Sequence, residues 1–326
     1  MLNVVIIGCG NIGSRHFQSF SLLNEKSNIF LIDPSSEKIN NAIKIYNTQK
    51  SKKLNSIERV HKIENINKKI DLLIIATTSS VRIDLIKKFF RNNKTKYVIL
   101  EKFLFQKEED YFLAEKIFTE HKARVWVNQP LCYQDCFKEI KHFFLKSKKI
   151  FLKISGGNWG LCCNSIHYIE LFEYLTNRRK PLNLKSYSFE KIIESKRSDF
   201  YEIIGKLNFT SKCGSSIFFQ THEELTSKLP LIISIMDENN NSVDIECRRD
   251  SYKCSFSIDG KKFKKEFNEI YQSQLTEKII NEIIKKNYCS LPNYKTSMAQ
   301  HLLLLNPFKE FFIKKNIYTS AGIPVT

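Results

Sequence analysis

Three groups of residues could carry chemistry by type and spacing. The first is Gly8-Cys9-Gly10-Asn11-Ile12-Gly13, which follows the apolar run Val4-Val5-Ile6-Ile7 and precedes a helix-like stretch. Asp33 stands twenty residues after Gly13. In that context Gly8 permits a tight turn and Gly10 leaves the backbone open to a pyrophosphate. Gly13 lets a helix pack against a strand. The helix N-terminus, entered through Asn11 and Ile12, offers N–H groups and a partial positive charge to phosphates. Asp33 can accept from ribose hydroxyls and would repel a 2′-phosphate, and the nearest base after it is Lys38. That selects NAD over NADP. The second group is Glu101-Lys102, directly after the apolar run Tyr97-Val98-Ile99-Leu100. A lysine there sits at a strand's carboxyl end, where it can give or take a proton. The third is His167, inside a helical pattern over 161–175, with Asn164 one turn back and Glu170 one turn on.

These groups need elements to hold them. Short apolar runs at 3–7, 28–33, 71–76, 97–100 and 124–127 read as strands buried on both faces. Helix-like periods lie between them at 12–23, 35–46, 80–91 and 107–121. The alternation predicts an α/β fold: a doubly wound Rossmann domain over residues 1–128, its parallel sheet covered by helices on both faces. Ligands bind outside the carboxyl ends of such a sheet, which points to Thr77, Thr78, Glu101 and Asn128 as cofactor contacts. The hydroxyls at Ser79 or Ser80 can equally serve only as a helix cap. After residue 128 the texture changes. A helix is expected at 133–146, then β-type runs at 150–155, 184–190, 201–209, 215–220, 230–236, 242–248 and 252–258, then helices at 272–286 and 296–314. Consecutive strands imply an α+β domain over 129–326 with a largely antiparallel, open-faced sheet. Its last helix is expected to pack back on the first domain.

The chain has 326 residues, a net charge of +18 and 42% hydrophobic residues, enough for two domains and a sizeable core. The lysines are scattered along the whole length. A clustered basic stripe or a known nucleic-acid module is missing, so no nucleic-acid partner is expected. Apolar runs fall short of a bilayer span, and the first residues carry no secretion signal, so the expected location is the cytoplasm without a membrane partner. The nine cysteines form no Cys-x-x-Cys pair and no zinc-like spacing, which predicts reduced thiols and no metal.

Taken in order, Gly8-Cys9-Gly10-Asn11-Ile12-Gly13-Ser14-Arg15-His16, Ile75-Ala76-Thr77-Thr78, Glu101-Lys102-Phe103 and Gly156-Gly157-Asn158-Trp159-Gly160 with His167 resemble the Gfo/Idh/MocA oxidoreductases. This is the group of glucose–fructose oxidoreductase and inositol dehydrogenase, and the likeness is to members found among bacterial surface-polysaccharide genes. The resemblance implies Lys102 as the catalytic lysine, His167 as a second acid–base residue and NAD as cofactor. A sugar-type small molecule would lie against Lys102, Trp159, Asn164 and His167. The open sheet would serve oligomer contacts, giving a homo-dimer or homo-tetramer. Two positions depart from the family pattern. Phe103 replaces the proline, often cis, that usually follows the lysine. Cys163 stands where the family often has an aspartate four residues before the histidine, and Asn164 is the neighbouring polar residue. The expected reaction is hydride transfer between nicotinamide and a hydroxyl or keto carbon of a sugar phosphate, nucleotide sugar or acidic sugar. Two alternatives stay open. One is an enzyme using tightly bound NAD transiently for elimination, epimerisation or glycoside cleavage. The other is a non-catalytic dinucleotide-binding protein.

Overall fold

The computed structural model describes residues 1–49, 55–66, 68–177, 181–223, 229–318, 320 and 322–326. The first half builds β1 (Leu2–Ile7), α1 (Asn11–Ser19), β2 (Ser27–Ile32), α2 (Ser36–Asn47), β3 (Ser56–Arg59), β4 (Ile70–Ile75), α3 (Ser79–Asn92), β5 (Thr95–Leu100), α4 (Glu108–Glu120) and β6 (Arg124–Val127). The strands form one sheet in the order β3-β2-β1-β4-β5-β6, every pair parallel. The central strands are buried on both faces: Val4, Val5, Ile6, Leu73, Ile74, Ile75, Val98, Ile99 and Leu100 have no exposed surface. That is why their sequences read as continuous apolar runs. The strand order reverses at β1, which pairs with β2 on one side and β4 on the other. A crevice therefore opens beyond the carboxyl ends of β1 and β4.

The second half adds α5 (Asp135–Phe143), β7 (Ile150–Gly156), α6 (Leu161–Leu175), β8 (Leu182–Glu194), β9 (Tyr201–Ser211), β10 (Ser216–Thr221), β11 (Leu231–Asp237), β12 (Ser242–Cys247), β13 (Ser251–Ile258), β14 (Lys261–Asn268), α7 (Gln272–Lys286) and α8 (Tyr294–Lys314). Eight strands form a second sheet, ordered β14-β13-β12-β11-β7-β10-β9-β8. All its pairs are antiparallel except β7 with β10. Leu152, Ile154, Leu207, Phe219, Ile233 and Ile245 are buried on one face, which α5 and α6 cover. The alternate residues, among them Lys153, Lys206 and Asp244, are exposed on the other.

The chain forms two compact units. The first comprises Met1–Asn128, Ile270–Met298 and Thr326, and the second Gln129–Glu269 and Ala299–Val325. Residues 270–298 thus interrupt the stretch expected to run unbroken from 129 to 326. Helix α7 belongs to the first unit because it packs on α1, where the Glu277 N–H donates to Ser19 Oγ (2.7 Å). The last helix is divided, with Tyr294–Met298 in the first unit and the remainder in the second. Among the described residues no helix is long and apolar enough to cross a membrane. None of the nine cysteines, all described, forms a disulfide.

The packing of α1 against β1 depends on one missing side chain. A Cβ at Gly13 would lie 1.8 Å from the Gly8 carbonyl oxygen. At Gly10 a Cβ would meet nothing within 4 Å. Gly13→Ala is therefore expected to lower Tm by about 5 °C or more, as overpacking at a rigid backbone contact does. Gly10→Ala is expected to leave Tm within about 2 °C of wild type. Differential scanning fluorimetry of the two variants checks the contrast.

Candidate functional site

In the first unit, the turn after β1 is held from two sides. Gly8 adopts φ +94°, a left-handed conformation, and a Cβ there would strike the Ala76 carbonyl oxygen at 2.7 Å. The next amide, Cys9 N–H, donates to Asp33 Oδ2 (2.8 Å), while Ser35 N–H donates to Asp33 Oδ1 (2.9 Å). Both oxygens of the half-buried Asp33 are thus oriented by backbone, with lone pairs left to accept further donors. The Cys9 thiol is pushed up to about 12, by burial first and by Asp33 second, so it stays protonated and inert. Gly10 is the N-cap of helix α1, which has no capping side chain and no acidic residue in its first turn. Its N-terminal charge is not neutralised locally.

The end of β5 carries the second group. Lys102 is half-buried, and the peptide bond to Phe103 is cis. Glu101 points instead into a buried network. His16 Nε2 lies 2.8 Å from Glu101 Oε1, and Asn128 Nδ2 donates to the same oxygen (2.6 Å). His16 Nδ1 meets Thr276 Oγ1 at 2.9 Å. Gln272 accepts from Asn128 (2.9 Å) and donates to Thr276 (2.8 Å). Burial alone would raise the Glu101 carboxyl. The hydrogen bond and charge of His16, the Asn128 amide and the Lys102 ammonium more than reverse that, so it titrates below the ordinary range. Both Asn128 hydrogen bonds use its NH2. Its buried Oδ1 has no hydrogen-bond partner among the described residues.

Thr77 and Thr78 are half-buried beyond β4. Thr78 is the N-cap of α3 but makes no side-chain cap; its hydroxyl meets Ser80 Oγ at 3.2 Å. Ser79 and Ser80 lie inside the helix, so neither is its cap.

The second unit holds His167 on α6. Ile166, Ile169 and Phe172 are buried, whereas Cys163, Asn164 and His167 form a half-buried stripe on the helix. Asn164 Nδ2 donates to the Trp159 carbonyl (2.7 Å). Trp159 itself is buried, with its indole N–H given to the Gln220 carbonyl (3.0 Å), so its polar atom is engaged within the protein. Glu170 is fully buried and accepts from Gln300 Nε2 (2.6 Å). Cys163 brings no carboxylate to this helix, but Glu202 of β9 does: it accepts from Cys162 N–H (2.7 Å) and Cys163 N–H (3.3 Å). An anion at a helix N-terminus satisfies its amides and dipole together. The Cys162 thiol is raised well above its ordinary value, by burial first and Glu202 next.

Two side chains to which the sequence assigns no role sit at the centre of these contacts, His16 and Glu202; the fully buried Arg82 is a third such residue in the first unit. Arg82 had a signal, since it occupies a buried stripe of α3 with Ser79, Ile83, Ile86 and Phe89. Glu202 had none, because it reaches the helix from a strand 39 residues away.

A dinucleotide fits the first unit. The open space at Gly10 lies beside uncapped amides, and the unsatisfied Asn128 Oδ1 can take an amide donor. Among the described residues no group of three or more His, Cys, Asp and Glu gathers as for a metal ion. The family model of the oxidoreductases with an NAD-binding Rossmann fold, Gfo/Idh/MocA, matches residues 2–129. Sequence comparison with curated proteins gives no match. Among solved structures the chain resembles an oxidoreductase from Agrobacterium radiobacter in complex with NAD+, L-tartaric acid and magnesium, at TM-score 0.71 and 10% identity over 93% of this chain and 94% of that one. A Clostridium difficile dehydrogenase, MviM, gives TM-score 0.69 and 16% identity over 96% and 99%. The UDP-N-acetylglucosamine 3-dehydrogenase of Acidithiobacillus ferrooxidans gives 0.68 and 9% over 94% and 96%. At these identities the likeness is one of fold.

The depressed Glu101 carboxyl carries a pH signature. Its contribution to stability is complete above the unfolded value of about 4.3 and is lost as pH falls through the lower native value. Glu101→Gln is therefore expected to lower Tm by a constant amount at pH 6–8, with the gap to wild type narrowing below about pH 4. Thermal melts across pH 3–8 check this. A gap that does not narrow in acid would contradict it.

Proposed function

We propose that the chain, whose residues 2–129 match the family model of the Gfo/Idh/MocA oxidoreductases, is an NAD-dependent dehydrogenase or reductase acting on a CH–OH or keto carbon of a sugar-type substrate in the cytoplasm. The observation that carries the proposal is the half-buried Lys102 at the carboxyl end of β5, in the same unit as the open backbone at Gly10 and the unsatisfied Asn128 Oδ1. Bound nicotinamide supplies the hydride donor or acceptor.

Lys102 Nζ takes the hydroxyl proton in the oxidative direction and returns it to the forming alkoxide in the reductive one. Glu101, held by His16 and Asn128, keeps a negative charge behind the ammonium. His167 is the second acid–base residue, with Asn164 a substrate contact beside it. Gly8, Gly10, Asn11, Ile12, Gly13, Thr77, Thr78, Glu101 and Asn128 hold the dinucleotide. Asp33 supports NAD over NADP, since its fixed carboxylate accepts hydroxyl donors and repels a phosphate. A net charge of +18 favours an anionic sugar: a sugar phosphate, nucleotide sugar or acidic sugar. That one structural neighbour is a UDP-N-acetylglucosamine 3-dehydrogenase supports this class, and the proposal places the reaction in sugar or surface-polysaccharide metabolism. A second copy of the chain is proposed to cover the open face of the second sheet, where Phe151, Phe218, Ile232 and Met236 remain partly exposed.

Turnover on a panel of polyols, keto-sugars and nucleotide sugars, followed at the NADH absorbance, tests the reading. Lys102→Met is expected to lower kcat by about 10²–10⁴-fold and to leave the NADH dissociation constant within about threefold of wild type. A variant with wild-type turnover would remove Lys102 from the chemistry.

A further inference from the structure

We propose that Arg82 is a positioning residue that clamps the ends of β4 and β5 together and so fixes the backbone on which Lys102 is carried. The proposal rests on the reading of Lys102 given above.

The ladder between these strands stops just short of the cleft. Its final bond beyond the paired residues Ile75 and Leu100 is the Glu101 N–H donating to the Ile75 carbonyl (3.1 Å). Past that point both chains turn away, yet Phe103, Leu104 and Phe105 remain fully buried. Carbonyls there have left the sheet without reaching water, and each needs a donor. Arg82 meets the need with one planar group. Its Nη1 donates to the Phe103 carbonyl and to the Leu104 carbonyl (2.6 Å), and its Nη2 donates to the Thr77 carbonyl. Tyr111 holds the next carbonyl, Phe105, through its hydroxyl (2.9 Å).

Lys102 therefore lies between two fixed points. On one side the Glu101 amide is tied to β4; on the other the Phe103 carbonyl is tied to α3 through Arg82. The same guanidinium reaches Thr77, so the two cleft segments are set with respect to each other by one side chain. Stability alone is a poor reason to keep a fully buried cation on a stripe shared with Ile83, Ile86 and Phe89, because its desolvation is costly. Lysine cannot replace it: reaching three carbonyls on two segments requires a rigid fork, which an ammonium lacks.

Two variants test the clamp. In Arg82→Lys, Tm is expected to stay within a few degrees of wild type while NADH binding, followed by fluorescence titration, weakens about tenfold. Turnover is expected to fall by about 10²-fold, with a smaller change in the substrate KM. In Arg82→Ala, guanidinium ion at non-denaturing concentration is expected to restore much of the lost affinity, whereas equal ionic strength from sodium chloride restores none. Wild-type binding and turnover in Arg82→Lys, or no guanidinium rescue in a folded Arg82→Ala, would overturn the proposal. Failure of both variants to fold would also count against it, since Arg82 would then be a folding residue. A wild-type protein that binds neither NADH nor NADPH would instead sink the reading of the cleft on which the clamp rests.

Discussion

Helix α1 reaches the end of β1 only because residue 13 carries no side chain, and the rest of the first unit is arranged around that approach. With a methyl group at 1.8 Å from the Gly8 oxygen, the helix would have to withdraw. Its N-terminal amides would no longer face the crevice where the strand order reverses. Given the contact, the remaining parts follow. The left-handed turn at Gly8 directs the Cys9 amide at Asp33, which ties the end of β2 to the elbow. His16, in the second turn of the same helix, then meets Glu101 at the end of β5. One close backbone contact thus links the carboxyl ends of β1, β2 and β5.

Most polar groups at this edge hold one another or the backbone. Asp33, Glu101, His16, Gln272 and Thr276 are bonded to backbone or to one another, as buried polar groups must be. Glu101 is the clearest case, because burial would neutralise it and its partners keep it charged. Beside them lie the open backbone at Gly10 and the half-buried Asp33, Thr77, Thr78 and Lys102. The second unit follows the same economy on α6. A carboxylate borrowed from β9 secures the helix start, and Cys163, Asn164 and His167 are half-buried on the first turns.

Much of this was legible in the amino-acid sequence. Strands buried on both faces write themselves as apolar runs, and of the elbow's three glycines Gly8 and Gly13 are required by space while Gly10 keeps its backbone open. The helix at 161–175 has the predicted bounds, since its apolar residues recur at helical spacing. Edges were harder to read. Strand β3 (Ser56–Arg59) is a mostly exposed edge and carries no apolar run. Strand β14 (Lys261–Asn268) is an edge guarded by four lysines, so only Phe263 and Phe267 keep the period of two. Contacts between distant segments left no local trace. Glu202 at the start of α6, Thr276 against His16, and the return of residues 270–298 to the first unit are products of the fold. Arg82 is intermediate: a charge on an apolar stripe marks a buried, engaged group without saying what it engages.

In the proposed reading the glycine elbow and Asp33 receive a dinucleotide at the edge that carries Lys102. Isothermal titration calorimetry of the purified wild-type protein with NADH and with NADPH tests it most directly. Saturable binding of NADH, one molecule per chain and about tenfold tighter than NADPH, is the predicted result. Absence of measurable binding by either nucleotide to cofactor-free protein would contradict it.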